Sequence, residues 1–516
     1  MISKTILVGI DGGTWNILKP LIAEGALPHF EEIVRDGVSG VLRSTIPYTT
    51  LPGWTSMFTG VNPGKHGIIE NVIRINNEFV ICNSMYRMVK TVWQFLHDHG
   101  YSSTVVNDPV TYPPDKIGIH VTGLLTPGAS KNYVMPSNLT DVIEKVSDGY
   151  TPDIQHNYYD NLRKNREEAF KQVKDYGLKI AKVGMHLLKN YSWDMAAVIF
   201  TSTDRMQHFF WHQPDYLRRH YQEIDSYLGD FMNLASTEQA NVIIASDHGF
   251  TGVKEFFFIN ALLYRKGLLK PLKEGVLTSG MRRAGITRAS VVNLLRKNLP
   301  LYRIIRRLTP RSLKKSLPLS ERMKIDHYSS KIYAFTNLGL FINSIDEKEL
   351  EALLKEISTV QSSDGIPFIK EILRRDEVIW GPYAERAPDI IILPNSGYKV
   401  RNELYLDARL SSKPYYADYG ITFTGEHEID GILMAIGPDM ARGKQIETKR
   451  VWDIAPTLLH MADLPIPDYF DGKVIKDIFR NSSPLYTKTI SITRRSMREE
   501  LRDKIKTLKG LGRLGT

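Results

Sequence analysis

The residues with the most chemistry to offer stand just past apolar runs. Val242, Ile243, Ile244 and Ala245 read as a buried strand, and Ser246-Asp247-His248-Gly249-Phe250 follows it. Open α/β sheets collect ligands at the carboxyl ends of their strands, and a carboxylate beside an imidazole is half of a divalent-metal site. Such a pair also serves as a plain turn, so the reading depends on how many other strand ends supply matching groups. A first run, Ile6 to Ile10, ends in Asp11-Gly12-Gly13, which sets Asp11 at the same kind of position, although Asp-Gly-Gly is also a common turn. Another, Ala196, Ala197, Val198, Ile199 and Phe200, leads to Asp204 and His208. Four residues apart on a helical turn, these two point the same way and can grip one cation or simply bond to each other. His427 lies in a glycine-flanked stretch before the run Ile432 to Ile436, and is expected to enter the site from a conformationally free loop.

A nucleophile is offered between Pro47 and Asn71. Thr49 and Thr50 precede Leu51-Pro52, and proline suits the first turn of a helix, where its missing N–H costs nothing. A threonine hydroxyl then sits at a helix N-terminus, in a field that favours an alkoxide or a bound phosphate. A plain threonine N-cap is the ordinary alternative, and only a nearby metal or base makes the hydroxyl a nucleophile. His66, in the turn Pro63-Gly64-Lys65-His66-Gly67, reads as a structural hydrogen-bonding residue, and His212 as packing or a substrate wall. Asn71 can donate its amide to a phosphoryl oxygen. Together, Asp11, Asp204, His208, Asp247, His248, His427 and a helix-terminal threonine are what two-metal phosphoryl transfer needs, with zinc, or manganese if the site is oxygen-rich.

Positioning these residues requires strands alternating with helices, which argues for βαβ units and a mostly parallel sheet. Residues 18–37 give a helix pattern broken at Pro28, and residues 158–190 a long amphipathic one. At 516 residues the chain exceeds one ordinary core. The expected segments are residues 1–269, the first part of a catalytic core; 270–325, a basic helical insertion or cap; 326–484, the second part of the core; and 485–516, a basic tail. The formal charge of +10 favours an anionic partner. Arg282-Arg283, Arg306-Arg307 and Lys314-Lys315 in the insertion, with Arg494-Arg495 in the tail, suit peripheral contact with an anionic membrane or admission of an anionic substrate. They serve equally as a solvated basic face. No nucleic-acid module accompanies them, so sequence-specific nucleic-acid binding is not expected. Cys82 is the only cysteine, which excludes an intrachain disulfide. With no secretory pattern and no apolar run near the roughly 20 residues of a membrane span, a cytoplasmic protein is expected, possible membrane contact being peripheral.

These motifs, in this order, resemble the alkaline phosphatase superfamily. Within it they are similar to the type I phosphodiesterase and nucleotide pyrophosphatase group, including its predicted prokaryotic phosphohydrolase or phosphomutase branch, from Ile6 to about Gly472. The resemblance implies a three-layer α/β/α sandwich around a mostly parallel sheet. It implies Thr50 as nucleophile, one divalent ion on Asp11, Thr50, Asp247 and His248, a second on Asp204, His208 and His427, and Asn71 holding phosphate. It further implies hydrolysis of a phosphodiester or pyrophosphate in an anionic phosphorylated small molecule, through a covalent phosphothreonine. The chain has Leu51-Pro52-Gly53-Trp54 where many nucleotide pyrophosphatases have Phe-Pro-Asn-His, so a nucleotide-binding wall does not carry over. Thr49 stays open as the nucleophile. The Cys/Ser-x-Pro-x-Arg motif of sulfatases is absent. Phosphomonoesterases and phosphomutases share the ligands and remain the alternative. A basic membrane- or polyanion-binding protein without catalysis is the alternative from another class, but it has no need of six metal ligands.

Overall fold

All six residues of the strand Thr5–Ile10 (β1) are buried, as an unbroken apolar run in the middle of a sheet must be. The computed structural model describes residues 2–76, 78–128, 130–154, 157–272, 322–405, 407–413 and 423–494, with 496, 499 and 502. Most of the expected basic insertion (residues 273–321 of 270–325) and much of the expected tail therefore lie outside the described residues. The chain divides into two compact units, one of residues 1–252, 375–387 and 425–516, the other of residues 253–374 and 388–424. The second unit takes in residues on both sides of the basic segment.

In the first unit β1 pairs in parallel with Met195–Phe200 on one side and Asn241–Ala245 on the other. Numbering the strands of this sheet along the chain, β2 is Val38–Arg43, β3 Ser103–Asp108, β4 Gly118–Thr122, β5 Val134–Met135, β6 Met195–Phe200 and β7 Asn241–Ala245. Beyond the two-stranded ribbon β8 (Gly249–Gly252) and β9 (Gly425–Glu428), β10 is Asp430–Ile436 and β11 Lys444–Gln445. The spatial order is β11-β2-β10-β7-β1-β6-β3-β4-β5. Most neighbours are parallel, whereas β10 runs antiparallel to both β2 and β7, and β5 to β4. Ile10 is level with Phe200 and Gly9 with Ala245, so β1, β6 and β7 end in one layer. Asp11, Thr201 and Ser246 are the next residues out, which is why three distant stretches of sequence meet there.

Helices cover both faces. On one, Thr50–Thr59 (α1) joins residues 92–98 and 454–461 in a core of Trp54, Phe58, Trp93, Leu96, Leu458 and sheet residues such as Leu7, Ile199 and Ile243. On the other, Arg166–Asn190 (α2) and Pro214–Thr237 (α4) pack on the sheet, and the short helix Ser202–Phe210 (α3) follows β6 directly. Gly184 of α2 lets that helix approach Val198, since a Cβ there would fall 2.9 Å from its methyl carbon. The helix pattern of residues 18–37 resolves into Trp15–Ala23 and Pro28–Asp36, with Pro28 opening the second, where proline is tolerated.

The second unit contains a four-stranded antiparallel sheet, with the order Ile332–Tyr333, Gly339–Ile342, Ile390–Pro394, Ile369–Arg374, and the helix Glu347–Thr359. A smaller sheet joins Glu255–Phe258 to Tyr398–Arg401 and Ser411–Ser412. Among the described residues no helix is long and apolar enough to cross a membrane.

Candidate active site

Past the ends of β1 and β7, Asp11, Asp247 and His248 converge. Each is no more than 1% exposed. Gly12 makes the turn after Asp11 with φ +68°, and its N–H donates to Asp247 Oδ1 at 3.2 Å. A side chain there would be strained by that φ and would meet the Phe250 ring at 2.8 Å. Thr203 Oγ1 donates to the Asp11 carbonyl at 2.6 Å, and Gln207 Nε2 to that of Gly12 at 3.0 Å. The His248 Nδ1 lies 2.9 Å from the carbonyl of Gly249, which can only accept, so Nδ1 carries the hydrogen and Nε2 of the neutral ring carries a lone pair. That lone pair faces Asp11 Oδ1 at 3.5 Å and Asp247 Oδ2 at 3.3 Å, two buried oxygens that accept no hydrogen bond.

Two carboxyl oxygens and a nitrogen lone pair that converge in this way fit a cation, which would displace the carboxyl protons on binding. Burial pushes the Asp11 carboxyl well above the usual range, and the charges of Asp247 and Asp204 add to it. Asp247 is raised likewise by burial and by Asp204. Burial, and then the neighbouring His427, push His248 well down. A bound cation would offset the cost of charging the two carboxylates, and a His248 held neutral by burial keeps its lone pair for the ion.

Asp204 and His208, on α3, form the second group with His427. Oδ1 of Asp204 is 3.3 Å from His208 Nε2 and 3.1 Å from His427 Nε2, and the two Nε2 atoms are 3.1 Å apart. The His208 Nδ1 lies 3.1 Å from the Gly425 carbonyl, again leaving Nε2 as the lone pair. Burial opposes the Asp204 charge, but His208 and His427 outweigh it and hold the carboxyl well below the usual range. His427 lies in β9, not in a free loop: it pairs with Phe250 of β8, two residues after His248. That register stacks the His248 and His427 rings at 3.9 Å between centroids, so the groups adjoin. Ligand atoms of Asp204, His248 and His427 lie within 4.8 Å of one another, as do those of Asp11, Asp247 and His248.

Thr50 is the first residue of α1, 8% exposed, with its hydroxyl 3.3 Å from His248 Nε2. Thr49 is the N-cap residue, yet its side chain caps nothing, and its buried hydroxyl accepts and donates no hydrogen bond among the described residues. His66 is a core residue, its Nε2 bonded to Ser56 Oγ and its Nδ1 accepting from the Ile68 N–H. His212 is exposed. Asn71 is exposed beside the hairpin of Val72–Ile75 and Glu78–Ile81, where its backbone bonds to Glu70 and Cys82 and, among the described residues, no hydrogen bond holds its side chain.

The sequence singled out these side chains but not the residues that seat them. Trp54 donates its indole N–H to Asp11 Oδ2 at 3.4 Å. Glu426 brings a carboxylate oxygen within 4.8 Å of the ligand nitrogens of His208 and His427. Gly53 lies against Asp247, and a Cβ there would sit 2.9 Å from the Asp247 Cβ and 3.0 Å from its carbonyl oxygen. Gly53→Ala must therefore push the first turn of α1 off Asp247. We expect kcat/KM to fall by roughly 10²-fold, as for a displacement of about 1 Å, and stability by about 1–3 kcal/mol, measured by steady-state kinetics and thermal melting.

A family model described as Type I phosphodiesterase / nucleotide pyrophosphatase matches residues 5–418. Among solved structures, human ectonucleotide pyrophosphatase / phosphodiesterase 5 is similar in fold, with a TM-score of 0.50 and 15% identity over 89% of this chain and 95% of that one. No curated protein sequence matches the chain.

Proposed function

The chain belongs to the type I phosphodiesterase / nucleotide pyrophosphatase family, in the alkaline phosphatase superfamily, and is thus a hydrolase. From that premise we propose that it cleaves a phosphodiester or pyrophosphate bond in an anionic phosphorylated small molecule, with Thr50 as nucleophile between two divalent cations. Asp11, Thr50, Asp247 and His248 would hold one, and Asp204, His208 and His427 the other. The observation that carries this reading is the Thr50 hydroxyl 3.3 Å from His248 Nε2, at the ring that adjoins both ligand groups. Two imidazoles and one carboxylate in the second group suit zinc, whereas the first is richer in oxygen and suits manganese as well.

When bound, the cations would supply charge neutralisation at the phosphoryl oxygens and a lowered pKa at the hydroxyl. Thr50 Oγ1 attacks phosphorus in line as the leaving oxygen departs on the far side. Water then cleaves the threonine phosphate and returns the hydroxyl. The N-terminal turn of α1 favours the anionic phosphoryl group beside Thr50, through free N–H groups and the helix dipole. Gly249 and Gly425 keep His248 and His208 in one tautomer, so neither ring must turn during the reaction. Asn71, exposed, is assigned to a phosphoryl oxygen by family resemblance.

Hydrolysis of a nitrophenyl diester and a nitrophenyl monoester, each with zinc or manganese, tests the reading. Faster cleavage of the diester is expected. A faster monoester would transfer the site to phosphatase or mutase chemistry. Protein that binds no divalent metal and cleaves neither would sink the enzyme reading.

A further inference from the structure

We propose that Asp153 and Arg205 are a positioning pair for the second cation: Arg205 fixes which oxygen of Asp204 faces the imidazoles, and Asp153 holds the guanidinium back from neutralising that carboxylate. The inference rests on the two-cation reading above and deepens it.

The two oxygens of Asp204 have different surroundings. Oδ1 faces His208 and His427, at 3.3 and 3.1 Å, while Oδ2 faces Arg205 Nη1 at 3.4 Å. Arg205 is held more closely elsewhere. Its Nη2 lies 3.2 Å from both oxygens of Asp153, and its Nε 3.4 Å from Oδ1. Tyr158, fully buried, donates its hydroxyl to the Arg205 carbonyl at 3.3 Å and anchors the backbone at that point of α3. The guanidinium thus presents its fork to Asp153 and a single N–H to Asp204.

That division has a consequence for charge. A guanidinium seated squarely on Asp204 would compete with a cation for the same carboxylate. With Asp153 as its counterion, the pair adds no net charge, and Arg205 still pins Asp204 Oδ2 so that Oδ1 stays turned to the imidazoles. At 40% side-chain exposure Asp153 is on the rim, and Arg205, at 20%, lies between it and the ligands. Asp153→Asn removes the restraint but keeps an oxygen for the Ile154 N–H, which Asp153 Oδ1 accepts at 2.8 Å. Arg205 would then have Asp204 as its nearest carboxylate.

The test is metal binding by the full chain, with zinc alone and with manganese alone, read as stoichiometry and as affinity against a chelating dye. Wild type should bind two ions and Asp204→Asn one. Asp153→Asn should weaken the second ion about tenfold or more, the usual scale for groups that orient metal ligands. Adding Arg205→Gln to Asp153→Asn should recover part of that loss, because the competitor is gone, while Arg205→Gln alone should weaken the second ion a few-fold, because Asp204 Oδ2 is no longer pinned. A merely structural role for Asp153 gives no such rescue. If Asp204→Asn loses one ion but Asp153→Asn binds like wild type, the positioning role falls and the two-cation reading stands. If wild type never binds a second ion, the two-cation reading itself falls. Asp153→Ser serves as the second variant should Asp153→Asn not melt cooperatively.

Discussion

Thr50→Ala is expected to lower kcat by on the order of 10³-fold or more, the scale seen when a covalent nucleophile is removed, while shifting stability by less than about 1 kcal/mol. The small stability cost follows from how little the hydroxyl does for the fold, since its one hydrogen-bonding neighbour is His248 Nε2, at 3.3 Å. Thr50→Ser keeps the oxygen and should retain far more activity than alanine. Thr49→Ala is the informative control, because the sequence left either threonine open. Its hydroxyl is buried without a partner among the described residues, so its removal should leave kcat within a few-fold. Acid quenching during turnover of a radiolabelled phosphodiester should trap label on wild type and none on Thr50→Ala. Label on Thr50→Ala, or a Thr49→Ala variant that alone is dead, would move the nucleophile to Thr49.

The strand-end positions of Asp11 and Asp247 were legible because β1, β6 and β7 are fully buried, and a buried strand writes an unbroken apolar run that stops where the sheet stops. Asp204 and His208 were legible by helical spacing. His427 was found as a residue but misjudged as a loop, because Gly425–Glu428 carries no apolar alternation; its strand exists through pairing with Gly249–Gly252, far away in sequence. Gly53 against Asp247 and Arg205 against Asp153 were hidden for the same reason, since each is a contact between residues distant in sequence that no local pattern records. Trp54 stood in the sequence only as a departure from the family's usual residue, and its bond to Asp11 supplies a use for it. The second unit was folded into the core in the sequence reading because its strands, such as Ile390–Pro394, have the same buried apolar pattern as those of the main sheet.

The largest effect on stability should come from removing metal, and it should depend on pH. In the metal-free protein the Asp11 and Asp247 carboxyls are raised well above their ordinary range, chiefly by burial and then by neighbouring carboxylates. The folded form therefore keeps protons that the unfolded chain releases above about pH 4. Unfolding then releases protons, so the stability contributed by these groups is full below about pH 4 and is lost as pH rises through the folded values, at about 1.4 kcal/mol per pH unit for each proton. A bound cation offsets the carboxylate charge and abolishes that loss. Three buried histidines work in the opposite direction: burial lowers His66 well below its usual range, His120 to about 4 and His220 to about 3, so their contribution is lost as pH falls below about 6.5. They lie outside the two proposed cation sites, so the difference between loaded and metal-free melting curves reports the proposed ligands, among which Asp11 and Asp247 are the raised carboxyls. That difference should widen by several degrees between pH 5 and pH 7.5. Asp11→Asn should raise the melting temperature of the metal-free protein at pH 7.5, because it removes a carboxyl whose raised pKa costs stability at that pH, and should shrink the gain from added zinc. A metal increment that stays constant across that range, with no gain in the metal-free Asp11→Asn variant, would mean that Asp11 and Asp247 are not where the cation binds.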